Sequence, residues 1–226
     1  MSIPLWLQTI AVVSLVVAFT SAAVIGFDLL RRPQPMGIMN AVWPITALYL
    51  GPLAVWWYWS LARAAPHGQA MGHHSGHQLP FWKSIIIEAT HCGAGCTLGD
   101  VIAEFTIFFA GVSIAGSGLV TDYVGDFILA YVFGVLFQYF AIAPMRGLAL
   151  GPGLWAAIQA DTLSLIAFEV GLFAWMWVMT LFPFHHELDP TQPAYWFLMQ
   201  IGMAIGFATS YPANWFLVRR GIKVAM

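Results

Sequence analysis

Charge is the scarcest property of this chain: Asp, Glu, Lys and Arg make up 8% of its 226 residues. Soluble domains carry about a quarter charged residues, so the composition excludes a water-soluble fold of this length. The chain also lacks a basic patch with interleaved aromatic residues, which excludes a nucleic-acid partner. Its 2 cysteines are too few for a disulfide framework, so they do not indicate a redox compartment.

Apolar residues dominate instead, at 60% of the chain. Several apolar runs reach about 20 residues, the length that crosses about 30 Å of hydrocarbon. Strands of a membrane barrel would be short and alternating, so the spanning elements should be helices. We predict an all-α fold, a polytopic transmembrane bundle of about six spans whose first partner is the lipid bilayer. The first run lacks a basic leader and is too long for a signal-peptide core, which predicts an uncleaved span.

The predicted spans cover residues 5–30, 38–61, 81–119, 127–142, 154–181 and 194–218. Pro44 and Pro52 predict a bend in the second span. The third run exceeds one crossing, which predicts either one long kinked helix or a short interfacial segment near residues 82–95 followed by a span. Gly93 and Gly95 mark the expected joint. The chain then forms a single membrane domain, with two spans in residues 1–62, a His/Gly-rich loop in 63–80 and a four-span core in 81–226.

Basic residues determine the predicted orientation. An even number of spans puts both termini on one side, and cytoplasmic termini place most Lys and Arg residues inside, as the positive-inside rule requires. Arg31 and Arg32, at the end of the first span, favour the opposite orientation. We expect a multi-pass protein of a prokaryotic inner membrane with both termini in the cytoplasm.

One stretch, EATHCGAGCTLGDVIAE, places five ionisable side chains at a repeated spacing of four residues. We call these residues the acid–thiol stripe: Glu88, Cys92, Cys96, Asp100 and Glu104. Each step of four advances an ideal helix by about 40° beyond a full turn, so the five wind nearly to the opposite face. They cannot form one site, although adjacent pairs can. A break at Gly93 or Gly95 could bring His91 round beside Cys92.

Six acidic residues lie within or at the margin of the apolar runs: Asp28, Glu88, Asp100, Glu104, Asp161 and Glu169. The eight basic residues all fall at predicted span ends or in loops. A carboxylate at mid-bilayer depth costs about 3 kcal/mol on insertion scales. With no Lys or Arg expected beside these acids, their counter-cation would have to be a proton or a metal ion.

The residue types indicate which ions could bind. Thiolate and imidazole favour copper(I) or zinc, whereas carboxylates suit harder ions or protons. The predicted metal ligands, with copper or zinc as the ion, are His91, Cys92, Cys96, Asp100 and Glu104. The predicted ion or proton path consists of Asp161, Glu169 and Glu88. Because Asp161 and Glu169 share a broad helix face, we expect that face to meet Asp100 and Glu104 in a four-acid interior site.

These assignments have simpler alternatives. Free cysteine often behaves as a small buried apolar side chain. The GAG run, together with Gly111 and Gly116, is typical of a helix-packing surface. Asp100 and Glu104 are harder to explain in this way, since packing does not require two acids one turn apart.

Histidine clusters occur in two polar loops. The predicted peripheral metal-capture residues are His67, His73, His74, His77, His185 and His186. Neutral imidazoles on a glycine-bearing segment bind copper, zinc or nickel readily. Their spacing matches no defined structural zinc site, so a solvated loop with adventitious metal affinity is the alternative.

Four segments carry a family resemblance: ATHCGAGCTLGDVIAE, FQYFAIAPMRG, AYWFLMQIGMAIGF and NWFLVRRGIK. Together they resemble a family of bacterial and archaeal multi-pass membrane proteins known as a domain of unknown function. The resemblance covers roughly residues 81–226 and leaves the first two spans outside. It implies a helical membrane fold and draws attention to the HCxxGCTLGD motif without assigning it a role.

Three functions fit these observations. The leading hypothesis is a permease or metal-handling protein for a transition-metal cation, which is a transport rather than an enzymatic role. A membrane dithiol oxidoreductase using Cys92 and Cys96 is the enzymatic alternative, although four residues is looser than the CxxC spacing of such enzymes. The third is an accessory subunit of a larger membrane complex. The expected partners are therefore a metal cation and either further copies of this chain or other membrane subunits.

Overall fold

The structure is a computed structural model that describes residues 3–63, 80–111, 113, 118–181 and 188–223. All the regular secondary-structure elements of these residues are helices, and the described residues contain no strand. The helices are α1 (Leu5–Arg31), α2 (Met39–Leu50), α3 (Pro52–Trp57), a π-helical turn (Tyr58–Ala62), α4 (Phe81–Ala110), α5 (Gly118–Arg146), α6 (Leu150–Leu181) and α7 (Pro193–Arg219). The predicted all-α fold is confirmed.

Within the described residues, four helices are long and apolar enough to cross a membrane: α1, α4, α5 and α6. The protein is therefore a helical membrane protein, as predicted. The count of about six spans is not reproduced. The predicted second span is divided into shorter helices, and α7 has 27 residues but is not among the four.

The bend predicted in the second span lies at Gly51 and Pro52. α2 ends at Leu50, and Gly51 has a φ of 54°, in the left-handed region that favours glycine. Pro52 then begins α3, where its missing N–H and fixed φ suit a first helical position. Pro44, by contrast, lies inside α2 without ending it.

α4 is one continuous helix of 30 residues, so the single long helix is the correct one of the two predicted alternatives, and Gly93 and Gly95 do not divide it. The suggested interfacial segment near residues 82–95 is part of that helix. Gly95 instead faces α5, where an added Cβ would lie 2.7 Å from the Cα atom of Gly134. Gly99 faces the same helix, and a Cβ there would overlap the backbone of Ala130. These glycines let two helix backbones approach closely, which is the packing role that small residues serve in membranes.

α4 is the central helix of the bundle. It packs against α2, α5, α6 and α7, and every residue from 84 to 97 is buried. α1, at the periphery, buries only one face and exposes large apolar side chains such as Val16 and Phe27. The acid–thiol stripe winds around α4, and all five of its members are buried inside the bundle.

A second pair of helices is joined as closely as α4 and α5. A Cβ added to Gly171 of α6 would lie 3.0 Å from the Cα atom of Gly206 in α7. A Cβ added to Gly206 would lie 2.7 Å from the carbonyl oxygen of Phe168. The core is thus built from two tightly packed pairs, α4–α5 and α6–α7, and the candidate site lies between them.

Candidate functional site

Four carboxyl groups from three helices meet in the bundle interior, and we call them the acidic cluster. The cluster consists of Asp100 and Glu104 of α4, Asp126 of α5 and Glu169 of α6. All four are buried. Asp100 interacts electrostatically with Glu169 and Glu104, and Asp126 with all three others. The helices therefore bring together acids that lie up to 69 residues apart in the chain (Asp100 to Glu169).

The acidic cluster is incompletely satisfied by the described residues. Glu104 contacts the side chains of Tyr195 and Asp126, and the Cys96 thiol lies beside Glu169. Within the described part of the chain, however, neither oxygen of Asp100 or of Glu169 has a hydrogen bond of normal geometry. A buried carboxylate in this state is costly unless it takes up a proton, a cation or water. Asp100 and Glu169 therefore need a proton, an ion or water to offset their burial.

A cavity of about 390 Å³ at one end of the bundle reaches two members of the acidic cluster, Glu104 and Asp126. It lies where α4 and α6 end and where α5 and α7 begin. Its walls include Glu104, Asp126 and Tyr195 from the cluster and its surroundings, together with Asp122 nearer the start of α5. The cavity is large enough for several water molecules. A hydrated cation could thus reach the outer pair of acids.

A second ionic group lies nearer the other end of α4, and we call it the lysine site. The Nζ atom of Lys223 lies 3.3 Å from Oε2 of Glu88 and 3.9 Å from Oδ1 of Asp161. It also donates a hydrogen bond of 2.9 Å to Oδ1 of Asn214. Lys223 is only 1% exposed, and Glu88 and Asp161 are fully buried.

The lysine site overturns two predictions. The expectation that no lysine or arginine lies beside the intramembrane acids is wrong, because Lys223 supplies a cation to Glu88 and Asp161. The expected four-acid site is also wrong in its membership. Glu169 joins Asp100 and Glu104 as expected, but Asp161 pairs with Lys223, and Asp126 takes its place. The counter-cation argument now applies only to the acidic cluster.

Lys223 reaches the interior through a turn after α7, and we call residues 220–223 the hook. α7 ends at Arg219, and Gly221 has a φ of 69°. The backbone N–H groups of Ile222 and Lys223 then donate to the carbonyl oxygen of Leu217. This is the usual way a glycine after a helix end reverses the chain. The glycine was the one sequence signal that could have indicated the hook.

His91, Cys92 and Cys96 lie between the acidic cluster and the lysine site. The two thiols are free and belong to an apolar core that includes Tyr49 and Phe168. Neither ring nitrogen of His91 has a hydrogen-bond partner among the described residues, and the ring packs edge-on against Phe137. No three His, Cys, Asp or Glu side chains in the described ranges are arranged to hold a metal ion. The copper or zinc site therefore stays a prediction, and no preformed metal centre supports it.

Burial of the thiols predicts slow alkylation. Cys92 is 1% exposed and Cys96 is fully buried, so N-ethylmaleimide should modify neither in the folded protein within minutes. Both should react once the protein is unfolded in detergent, because unfolding exposes the sulfur atoms to the reagent. Intact-mass spectrometry before and after unfolding measures this. Rapid modification of the folded protein would contradict the packing described here.

Two buried glutamines of the bundle differ in their hydrogen bonding. Gln200 makes ordinary interhelical hydrogen bonds, to Ser14 and to the carbonyl oxygen of Leu48. Gln138 has no partner for its amide within the described chain. The predicted metal-capture residues His67, His73, His74, His77, His185 and His186 all lie outside the described residues.

Comparison with known proteins places the core in a family. The profile of a domain of unknown function, DUF4396, matches residues 81–223. The chain belongs to this family. No curated protein and no solved structure matches it. The DUF4396 segment begins with α4 and ends at Lys223, so it contains both the acidic cluster and the lysine site and leaves α1 to α3 outside. The resemblance inferred from the sequence is thus confirmed at the level of the family.

Proposed function

We propose that the protein is a membrane permease that moves a cation through its bundle, with the acidic cluster as the central binding site. The observation that carries the proposal is that the buried oxygens of Asp100 and Glu169 have no hydrogen-bond partner within the described chain. Uncompensated carboxylates inside a membrane bundle typically mark an ion path or a proton relay. Stability alone gives no reason to keep them.

The arrangement of polar residues along α4 supports a path rather than an isolated site. From Glu88 to Glu104 the helix rises about 24 Å, at 1.5 Å per residue. That length is most of the hydrocarbon thickness of about 30 Å. The cavity reaches the Glu104 end, and the stripe continues through Asp100, Cys96 and Cys92 towards Glu88. Each step along this column is about one helical turn, and because each step also advances by about 40°, the column winds around α4.

A transition-metal cation is the cargo that we propose, with protons as the ions exchanged in return. The thiols of Cys92 and Cys96 follow the carboxylates along the column, and thiolates favour copper(I) and zinc. Burial of both thiols counts against the dithiol oxidoreductase alternative, because a thiol or quinone partner would need access to them. The cavity lined by Glu104 and Asp126 supports a transport function over a role as an accessory subunit.

The proposal predicts that Asp100→Asn abolishes cation flux. The amide keeps the shape of the side chain but cannot carry a negative charge or exchange a proton. In proteoliposomes loaded with a metal-sensitive dye and, separately, a pH-sensitive dye, zinc or copper influx should fall at least tenfold relative to the unaltered protein. The two dyes distinguish a metal cargo from proton movement alone.

Asp28→Asn is the matched control. Asp28 also lies in a spanning helix but is paired with Arg63 through two hydrogen bonds, away from the acidic cluster. The cation flux of the Asp28→Asn variant should equal that of the unaltered protein. Equal flux in Asp100→Asn and the unaltered protein would refute the permease proposal, as would the absence of either signal above that of protein-free liposomes.

A further inference from the structure

The three groups around the Lys223 ammonium form a well-defined cation cradle. Glu88 of α4, Asp161 of α6 and Asn214 of α7 each present an oxygen to Nζ, at 3.3, 3.9 and 2.9 Å. These groups come from three different helices, whereas the ammonium comes from the hook that follows α7. The cradle is therefore built by the bundle, and only its occupant is supplied by the hook.

The cradle offers a primary ammonium ion one hydrogen-bond acceptor, Oδ1 of Asn214, and two carboxylate oxygens at ion-pair distance. A lysine ammonium carries three N–H donors and no acceptor, and three oxygens stand within 4 Å of it. Oδ2 of Asp161 has no further hydrogen-bond partner in the described residues and is buried. A cation is needed here, because two carboxylates this close together in a buried site repel each other. Lys223 lies outside every helix and is held by side-chain contacts and a short turn.

We propose that Glu88, Asp161 and Asn214 form a binding site for a primary ammonium ion, which the hook fills with Lys223. Lys223 occupies this site while it remains part of the chain. In this state its ammonium blocks the column of polar α4 residues at the Glu88 end, opposite the cavity. The closing role rests on the proposed function, since a passing cation would have to displace the ammonium. The binding site itself does not depend on transport.

Chemical rescue tests the site directly. Lys223→Ala removes the side chain beyond Cβ and leaves room for propylammonium, which has the missing three carbons and the nitrogen. The full-length variant in detergent should melt about 10 °C below the unaltered protein, because breaking a buried ion pair is strongly destabilising. Adding millimolar propylammonium should restore most of that loss. The same concentration of 1-propanol, with the same carbon chain and no charge, should restore none.

The outcomes separate an ammonium site from simple packing. Recovery with propanol equal to that with propylammonium, or no recovery with either, would overturn the proposal. A Lys223→Ala protein as stable as the unaltered one would also overturn it. If Lys223→Ala does not fold, Lys223→Met provides the test, since it fills the space without charge: restored melting in that variant would mean that the ammonium is not required.

The closing role has its own readout. In the proteoliposome assay, Lys223→Ala should pass the cargo faster than the unaltered protein, and propylammonium should slow that flux again. An unchanged flux in Lys223→Ala would remove the closing role. The melting measurements need no transport, so a failure of the ammonium site and a failure of the permease proposal are distinguishable.

Discussion

Gly99→Ala should prevent normal assembly of the bundle although it adds a single methyl group. The new Cβ would overlap the backbone atoms of Ala130 in α5, which cannot move aside as the end of a side chain can. The two helices would have to separate, and overpacking of this kind costs about 3 kcal/mol. The better helix propensity of alanine offsets only about 1 kcal/mol of that loss. We expect poor recovery of monodisperse protein on size-exclusion chromatography and a clearly lower melting temperature.

Gly26→Ala provides the matched control for this prediction. Gly26 also lies in a long apolar helix, but nothing stands within 4 Å of a Cβ added there. The substitution should leave the melting temperature unchanged or raise it slightly, since alanine is the better helix former. Similar behaviour of the two variants would show that the backbone contact between α4 and α5 is not as close as described.

Glu169→Met should stabilise the protein, whereas removal of a charged side chain from the lysine site should destabilise it. Both oxygens of Glu169 are buried without a hydrogen bond from the described residues, and methionine has a similar volume without a charge. Removing an unsatisfied buried polar group should contribute about 1–3 kcal/mol. For a chain of this size that is a rise of about 5 °C in melting temperature. Differential scanning fluorimetry in chelator-treated detergent measures it, and flux should be lost at the same time.

Glu88→Met is the control with the opposite expectation. It makes the same chemical change in α4, but it removes the carboxylate closest to Lys223 and leaves the buried ammonium with weaker support. The melting temperature should therefore fall. If Glu88→Met and Glu169→Met shifted it in the same direction, the distinction between an uncompensated acidic cluster and a compensated lysine site would be wrong.

Much of the fold was predictable because the bilayer imposes simple rules. Length and apolarity located α1, α6 and α7 to within a few residues at each end, as residues 5–30, 154–181 and 194–218. The start of α5 was missed because Asp122 and Asp126 interrupt the apolar run that would have marked it. The glycines of α4 were misread as a joint, since glycine weakens a helix locally. The close backbone of α5 explains Gly95, and the side chains of Tyr49 and Phe168 leave no room for a Cβ at Gly93.

The candidate site was less predictable, because its composition depends on which helices are neighbours. The spacing of acids in α4 and α6 correctly indicated buried charge, and the pairing of Glu169 with Asp100 follows from the two faces that were predicted to meet. Lys223 was missed because a lysine after a terminal span is expected to extend towards water. Its inward course depends on a single reversed turn at Gly221. A spacing pattern contains no information of that kind.

The close glycine contacts also bear on how this bundle can move. α4 is joined to α5, and α6 to α7, backbone against backbone, so each pair should behave as a stiff unit. Across the boundary between the pairs, the contacts of Gly93 and Gly134 are with side chains, those of Phe168 and Leu165 among them, and side chains can slide. Asp100, Glu104 and Asp126 belong to one unit and Glu169 to the other. A small rocking of the two units would draw Glu169 away from the other three acids of the proposed binding site without bending any helix.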